Sequence, residues 1–221
     1  IAELRSGVSK LHARVANYHD LSGEKVKFKA VTNGIDIPYW TLPEIVKFYK
    51  EEGVLDKFTL PTAEYEAAVE KIDAKQIRAL KAAGRAFMNK VLEHRPDQNG
   101  KIVQLGEGEL LFDFKRRFVD YKRPWLPFED PQRLKRILQN HKAHYILSGR
   151  VHAGDERMMK RLNEVLAKIA DDEFLSTHVH YIADYDEELA YGLSCGSNVA
   201  INVPIVGLEA CGTSWMKDVA N

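Results

Sequence analysis

From residue 109 onward, short apolar runs alternate with longer segments whose apolar residues recur at helical spacing. The short runs predict buried strands, and the periodic segments predict helices with one face against a core. Repeated strand–helix units join neighbouring strands in parallel through right-handed crossovers. We therefore predict an α/β fold around a parallel sheet. The predicted strands are residues 109–114, 143–147, 177–182 and 198–203, and the predicted helices begin at Asp130, Asp155 and Asp186.

The chain before residue 109 is predicted to be mainly helical, with a helix in residues 1–17 and a short strand at 25–29. Thr41 with Glu44, and Asp73 with Gln76, have the spacing of capping boxes and predict two helix starts. A further helix is expected to begin at residues 60–62. Residues 93–108 are polar and rich in glycine, which is typical of a linker.

Charge and cysteine content argue against several classes of protein. Lys+Arg and Asp+Glu each total 32, so no excess of positive charge indicates a face for nucleic acid or an anionic membrane. Two cysteines in 221 residues provide no disulfide framework, which favours a cytoplasmic compartment. No apolar run approaches the roughly 18 residues that span a bilayer. Because the chain starts at Ile1 and stops soon after Lys217, we expect a piece of a longer protein.

Two histidine pairs have spacings that could serve a metal ion. We expect His141 and His144 to share a helical face, and His178 and His180 to share a strand face. No nearby cysteine or carboxylate set completes either site, so we predict no metal site.

A cluster of positive charge follows the first predicted strand, in residues 115–123. Ligands of parallel sheets bind outside the carboxyl ends of the strands, and this cluster lies at such an end. Arginine binds phosphate through a planar fork, whereas lysine supplies a compact charge. Apolar residues interrupt the cluster, which argues against a purely solvated run. The sequence therefore predicts a phosphate site that includes Arg116, Arg117 and Lys122.

The segment 209–217 follows the last predicted strand and reads E-A-C-G-T-S-W-M-K. Its Gly-Thr-Ser turn is suited to presenting backbone N–H groups to an anion. Lys217 lies just inside that turn, and lysine forms Schiff bases with carbonyl cofactors such as pyridoxal phosphate. Taken alone, the segment favours an ordinary solvated lysine, and the rest of the chain shifts the balance toward a functional one.

Four segments, in this order, resemble motifs of the glycogen, starch and α-glucan phosphorylase family. The resemblance is closest to the short bacterial and archaeal type, and it runs nearly from end to end. The segments are G-V-S-K-L-H at 7–12, T-N-G-I at 32–35 with Trp40, R-R-F-V-D-Y-K-R at 116–123 and the segment at 209–217.

The resemblance implies a GT-B-type glycosyltransferase fold, represented mostly by its C-terminal Rossmann-like lobe. Residues 1–37 would belong to the N-terminal lobe, 38–105 would join the lobes, and 106–221 would form the cofactor-binding lobe. It also implies phosphorolysis of α-1,4-glucans such as glycogen, starch or maltodextrin. The terminal glucosyl unit would pass to inorganic phosphate and give glucose 1-phosphate, with pyridoxal 5'-phosphate as proton relay. A homo-oligomer is a further expectation.

The resemblance also implies roles for individual residues. Lys217 would bind the cofactor aldehyde as a Schiff base, and Arg117 would bind the substrate phosphate. Glu209 and Gly212 would bind a glucose hydroxyl, and Arg117, Lys122 and Glu209 would form the catalytic set. The residues expected around the cofactor are Arg116, Lys122, Tyr185, Thr213 and Ser214.

Some positions depart from the family pattern. Glu3 lies near the place of the family's sugar-binding histidine, and His12 matches a different, later histidine. Trp215 replaces a small or polar residue beside the cofactor, where an indole could block or reshape the site. Cys211 replaces the usual serine. Two alternatives therefore stay open: a divergent non-catalytic carbohydrate-binding domain, and a nucleotide-sugar GT-B glycosyltransferase that needs no lysine at position 217.

Overall fold

A four-stranded parallel sheet forms the centre of the computed structural model, which describes residues 4–19, 27–52, 63, 67 and 70–221. The strands are β1 (Ser6–Gly7), β2 (Lys29–Ala30), β3 (Leu110–Lys115), β4 (Ala143–Ser148), β5 (Val179–Ile182) and β6 (Val199–Ala200). The helices are α1 (Lys10–His19), α2 (Ile37–Trp40), α3 (Pro43–Glu51), α4 (Ala74–Leu92), α5 (Pro131–Asn140), α6 (Glu156–Ala170), α7 (Leu175–His178), α8 (Glu187–Gly196) and α9 (Ser214–Ala220).

The sheet has the strand order β5-β4-β3-β6, and every neighbouring pair is parallel. This confirms the predicted parallel α/β arrangement. Strand β5 begins at Val179 instead of 177, because α7 occupies the preceding residues. Strand β6 is shorter than predicted. Beyond it, the chain turns toward Arg123, whose Nε donates to the carbonyl of Val203 at 2.7 Å.

The three predicted helix starts in this half of the chain are confirmed. The side chains of Asp130, Asp155 and Asp186 each accept a hydrogen bond from a backbone N–H three residues later, at 2.8–3.0 Å. Such caps satisfy N–H groups that have no partner inside the helix. The capping box of Asp73 and Gln76 is also present at the start of α4.

Side chains alternate between the two faces of the sheet along each strand, and helices cover both faces. On one face, Phe114 and Leu147 pack with buried side chains from α5 and α6, among them Leu138 and Leu162. On the other face, Leu111, Ile146 and Ile182 pack with side chains of α4 and α8, among them Met88 and Leu193. The apolar stripe along α4 is therefore a core face, except that Ile77 at its start is exposed.

Residues 93–108, which have the composition of a linker, contain no helix or strand, and some of them are buried. Val103 and Leu105 are buried in the core beneath α4. Arg95 is also buried, and its Nη2 lies 2.8 Å from both Asp186 Oδ2 and Glu188 Oε2. These contacts attach the segment to the start of α8.

The first part of the chain differs from the prediction at several places. The first helix begins at Lys10, and Leu4 lies exposed before it. Thr41 does not cap α3, since the cap position is Leu42, and the Oγ1 of Thr41 is buried without a partner among the described residues. Residues 60–62 and Glu3 lie outside the described ranges, and the 25–29 strand is described only from residue 27, with β2 at Lys29–Ala30.

The histidines are arranged differently from the prediction. His141 ends α5 and His144 lies on β4, so they do not share a helical face. His178 closes α7 and stacks on His144, which contacts His180 Nε2 at 3.0 Å. Within the described ranges, no three His, Cys, Asp or Glu side chains could hold a metal, and no helix is long and apolar enough to cross a membrane.

Candidate active site at the carboxyl edge of the sheet

A cavity of about 260 Å³ lies where β3 ends, beside the turn that precedes α9. All nine residues that the sequence assigned to a site line this cavity, although they come from three separate stretches of chain. They are Arg116, Arg117, Lys122, Tyr185, Glu209, Gly212, Thr213, Ser214 and Lys217, and Lys115 and Cys211 complete the lining.

Two cations of the cavity share one carboxylate. Arg116 Nη2 lies 2.9 Å from Glu209 Oε2, and Lys122 Nζ lies 3.5 Å from the same oxygen. Arg116 also donates from Nη1 to Asn202 Oδ1. Burial and the neighbouring Arg116 charge lower the pKa of Lys122, while Glu209 opposes that shift. The pair therefore concentrates positive charge that a single carboxylate balances only in part.

Glycines let the backbone and Arg116 approach closely. A Cβ on Gly212 would lie 2.5 Å from Arg116 Nη2, so a side chain there would push the guanidinium out of place. A Cβ on Gly149 would lie 1.9 Å from the carbonyl oxygen of Arg116. Arg116 N–H donates to Ser148 O at 3.1 Å. These approaches explain why Arg116 is held at the end of β3.

Arg117 differs from its neighbour Arg116. Its side chain is exposed, and it forms no hydrogen bond or ion pair with another residue in the described part of the chain. Arg123, at the end of the same cluster, is used for structure instead, because it binds the carbonyls of Val203 and Pro204. Arg117 therefore keeps its donors available for a ligand.

The turn before α9 presents unused backbone donors. The N–H groups of Gly212, Thr213 and Ser214 donate to no other described residue. The N-terminal segment supports the start of this turn, since Ser9 Oγ donates to the carbonyl of Ala210. His12 lies in the same N-terminal segment, where its Nδ1 accepts from Val8 N–H at 3.0 Å.

Lys217 lies at the border of two cavities. It lines the first cavity and also a second one of about 660 Å³, and Arg117 and Tyr185 line both. Its Nζ lies 3.0 Å from the centroid of the Trp40 ring. Burial lowers the pKa of Lys217, whereas the charges of Glu187 and Asp218 raise it. The indole face also favours the protonated amine. A lowered pKa increases the fraction of neutral amine, which is the nucleophilic form.

Trp215 lies outside both cavities. Its side chain is 45% exposed and lines neither of them. The indole therefore does not fill the space between Lys217 and the cationic pair in this structure.

Several residues near the site were not assigned from the sequence. The sequence gives Trp40 only as part of the second motif, because its contact with Lys217 joins residues far apart in the chain. Asp113 and Lys115 are buried behind the cavity and form a charged cluster with the partly exposed Asp218. The sequence contains a signal for this cluster, since Asp113 and Lys115 lie within an apolar strand. Burial of an unpaired charge is costly, so charged residues in a buried strand imply a partner.

The chain is similar over its full length to curated glucan phosphorylases. It is 28% identical to the glycogen phosphorylase of Mycobacterium tuberculosis and 29% identical to that of Aquifex aeolicus, and it covers 28% and 34% of those proteins. It is also 28% identical to the maltodextrin phosphorylase of Thermococcus litoralis, over 96% of this chain and 27% of that protein. These relatives are phosphorylases of the glycogen phosphorylase family. The chain spans about a third or less of their length. No family model matches it.

Solved structures of glycosyltransferases share the fold. A glycosyltransferase from Rickettsia africae superposes with a TM-score of 0.52 at 13% identity, over 98% of this chain and 42% of that chain. An α,α-trehalose-phosphate synthase (UDP-forming) from Burkholderia vietnamiensis also gives 0.52 at 13% identity, over 99% of this chain and 44% of that chain. The fold is thus that of a Rossmann-like lobe of the GT-B type.

Proposed function

We propose that this chain is the cofactor-binding part of an α-1,4-glucan phosphorylase. The enzyme would transfer the terminal glucosyl unit of a glucan to inorganic phosphate and give glucose 1-phosphate. One observation supports this most strongly: anion-binding side chains, free backbone donors and a lysine amine meet at one cavity. The relatives, which are named for glycogen and maltodextrin, support the choice of a glucan as substrate.

The residues present fit pyridoxal 5'-phosphate. Arg116, Lys122 and the free N–H groups of residues 212–214 form a donor set for a phosphate group. Gly212 leaves room that a Cβ would occupy. Lys217 supplies an amine whose pKa is lowered by burial. When bound, the cofactor would supply a phosphate group that exchanges a proton with the substrate phosphate.

The protein's own contribution would be electrostatic. Two phosphates placed near each other repel, so a site that holds both needs several fixed cations. Arg117 would bind the substrate phosphate, because its guanidinium is exposed and its donors are free among the described residues. Lys122 would hold and release a proton, since burial has already lowered its pKa. Fixed donors of this kind stabilise charge that develops during bond cleavage.

Glu209 would have two tasks. Without ligand it pairs with Arg116 and Lys122 and so limits their mutual repulsion. With substrate, its second carboxylate oxygen would accept a hydrogen bond from a glucose hydroxyl. The N–H of Gly212 would contribute a donor beside it.

The test is trapping of the cofactor in the full-length protein. Pyridoxal phosphate is added, borohydride is applied, and the labelled peptide is identified by mass spectrometry. We expect a pyridoxyl group on Lys217, its loss in Lys217→Met, and no loss in Lys47→Met, which changes an exposed lysine. Phosphorolysis of maltodextrin is then assayed with the same preparations.

Other outcomes separate the alternatives. No label on Lys217, together with binding of a nucleotide-sugar, would replace the proposal with a GT-B glycosyltransferase. Glucan binding without label and without phosphorolysis would replace it with a non-catalytic carbohydrate-binding domain.

A further inference from the structure

A lysine lies between two carboxylates directly behind the cavity. Lys115 Nζ is 2.9 Å from Asp113 Oδ2 and 2.6 Å from Asp218 Oδ1. Asp113 is fully buried and Lys115 nearly so. The hydroxyl of Ser194 donates to Asp218 Oδ1 at 3.0 Å, which ties the same carboxylate to α8. Tyr185 OH donates to the carbonyl of Lys115 at 3.2 Å.

This cluster holds the helix that bears Lys217. Asp218 directly follows Lys217 on α9, and α9 is only seven residues long. Helices this short are unstable alone, because nucleation costs more than a few hydrogen bonds return. No residue of α9 is fully buried, so polar contacts contribute to its orientation. They include the contacts of Asp218 with Lys115 and Ser194, and those of Asn221, which follows α9 and bonds to Trp40 O and Leu42 N–H.

The cluster also takes Lys115 out of the anion-binding set. A buried ammonium is costly unless it is paired and hydrogen-bonded. Lys115 borders the cavity, but its charge is already balanced by Asp113 and Asp218. The positive charge offered to a ligand thus comes from Arg116, Arg117 and Lys122.

We propose that Lys115 is a positioning residue. Its ion pair with Asp218 locks α9 onto the end of β3 and fixes the direction in which the Lys217 amine faces the cavity. The proposal rests on the proposed function only for the identity of the carbonyl compound that Lys217 binds.

The charges around Lys217 make the effect measurable. Glu187 on α8 and Asp218 on α9 act to raise the pKa of Lys217, and Lys115 on β3 acts to lower it. Arg117 and Tyr185 face Lys217 across the cavities, and Trp40 covers its ammonium. Removing the Asp218 charge takes away a carboxylate that raises the pKa of Lys217, while Lys115 still acts to lower it, so the pKa of Lys217 should fall. Removing both charges should return it toward the wild-type value.

The experiment uses Asp218→Asn, Lys115→Met and the double variant in the full-length protein without cofactor. Reductive methylation by formaldehyde and cyanoborohydride, followed peptide by peptide across pH, gives the pKa of Lys217. Hydrogen exchange gives the opening of α9. In Asp218→Asn we expect a lower pKa of Lys217 and exchange of α9 amides about tenfold faster. In the double variant we expect the pKa of Lys217 to return most of the way to its wild-type value, while the α9 amides still exchange faster than in the wild-type protein.

The control removes a second ion pair, whose residues line neither cavity. Lys135→Met breaks the contact of Lys135 Nζ with Asp172 Oδ2, 2.9 Å, and should leave Lys217 unchanged. Unchanged exchange of α9 in Asp218→Asn, or a double variant whose Lys217 pKa equals that of Asp218→Asn, would overturn the proposal. If Lys115→Met does not fold, the hydrogen-exchange rate of the α9 amides in Asp218→Asn decides whether the proposal stands. Failure of the wild-type protein to take up pyridoxal phosphate would count against the proposed function only, because these measurements need no cofactor.

Discussion

Glu209→Gln changes the single carboxylate that Arg116 and Lys122 share. The variant keeps the size of the side chain and removes its charge. Buried ion pairs lose about 3–5 kcal/mol when one partner is removed, and exposed pairs lose about 0–1 kcal/mol. Glu209 is 19% exposed and its cationic partners are largely buried. Arg116 keeps its contact with Asn202. We therefore expect a loss of about 2 kcal/mol in the free energy of unfolding.

A loss of that size lowers Tm by about 4–8 °C in a protein of roughly 200 residues. The same change should strengthen binding of a free anion, because phosphate no longer competes with the Glu209 carboxylate for Arg116 and Lys122. We expect a gain of at least about tenfold in phosphate affinity, which corresponds to about 1.4 kcal/mol. Circular dichroism melting without and with phosphate measures the first effect, and isothermal titration calorimetry measures the second.

The two effects have opposite signs, which makes the test specific. Phosphate should raise the Tm of Glu209→Gln more than that of the wild-type protein, because a ligand that binds only the folded state stabilises it. An unchanged Tm, or phosphate affinity equal to or weaker than wild type, would refute the view that Glu209 balances the cationic pair. Glu107→Gln serves as control, because that carboxylate lies on an exposed turn away from the cavity.

Four further predictions concern single residues. Gly212→Ala should lower the free energy of unfolding by about 1–3 kcal/mol and weaken phosphate binding, because the new Cβ would meet Arg116. Gly34→Ala is the control, since a Cβ there meets nothing within 4 Å, and equal melting curves for the two variants would contradict the prediction. Arg117→Gln should change the free energy of unfolding by less than about 0.5 kcal/mol yet weaken phosphate binding about tenfold or more, as calorimetry would show. Trp215→Asn should leave labelling of Lys217 by pyridoxal phosphate unchanged, since the indole lines neither cavity; increased labelling would show that it obstructs the site. Burial and the neighbouring His180 and His178 lower the pKa of His144 to about 4, below its usual 6.5. The free energy of unfolding should therefore fall as pH drops from 6.5 towards 4, because the unfolded chain takes up the proton first. His144→Gln should reduce that fall in urea titrations.

Local patterns predicted much of the α/β half. Each of Asp130, Asp155 and Asp186 stands three residues before the N–H that it caps, so the signal is contained in a few neighbouring residues. Strands β3 and β4 were predicted to within one residue at each end, because an apolar run of that length has few alternatives beside helical neighbours. One local pattern gave a wrong prediction. Thr41 and Glu44 have the spacing of a capping box, yet Leu42 holds the cap position.

The sequence motifs identified nine candidate site residues. The fold brings all nine to one cavity. Residue type does not separate Arg116 from Arg117, and only the family resemblance gave them different expected roles. Only the tertiary structure decided that Arg116 turns inward to Glu209 while Arg117 stays exposed. The same holds for Lys115 between Asp113 and Asp218, for Trp40 over Lys217 and for Trp215 outside the cavities. The physical reason is that charge pairing and burial depend on distances between atoms far apart in sequence, whereas strand periodicity and helix caps depend on neighbours.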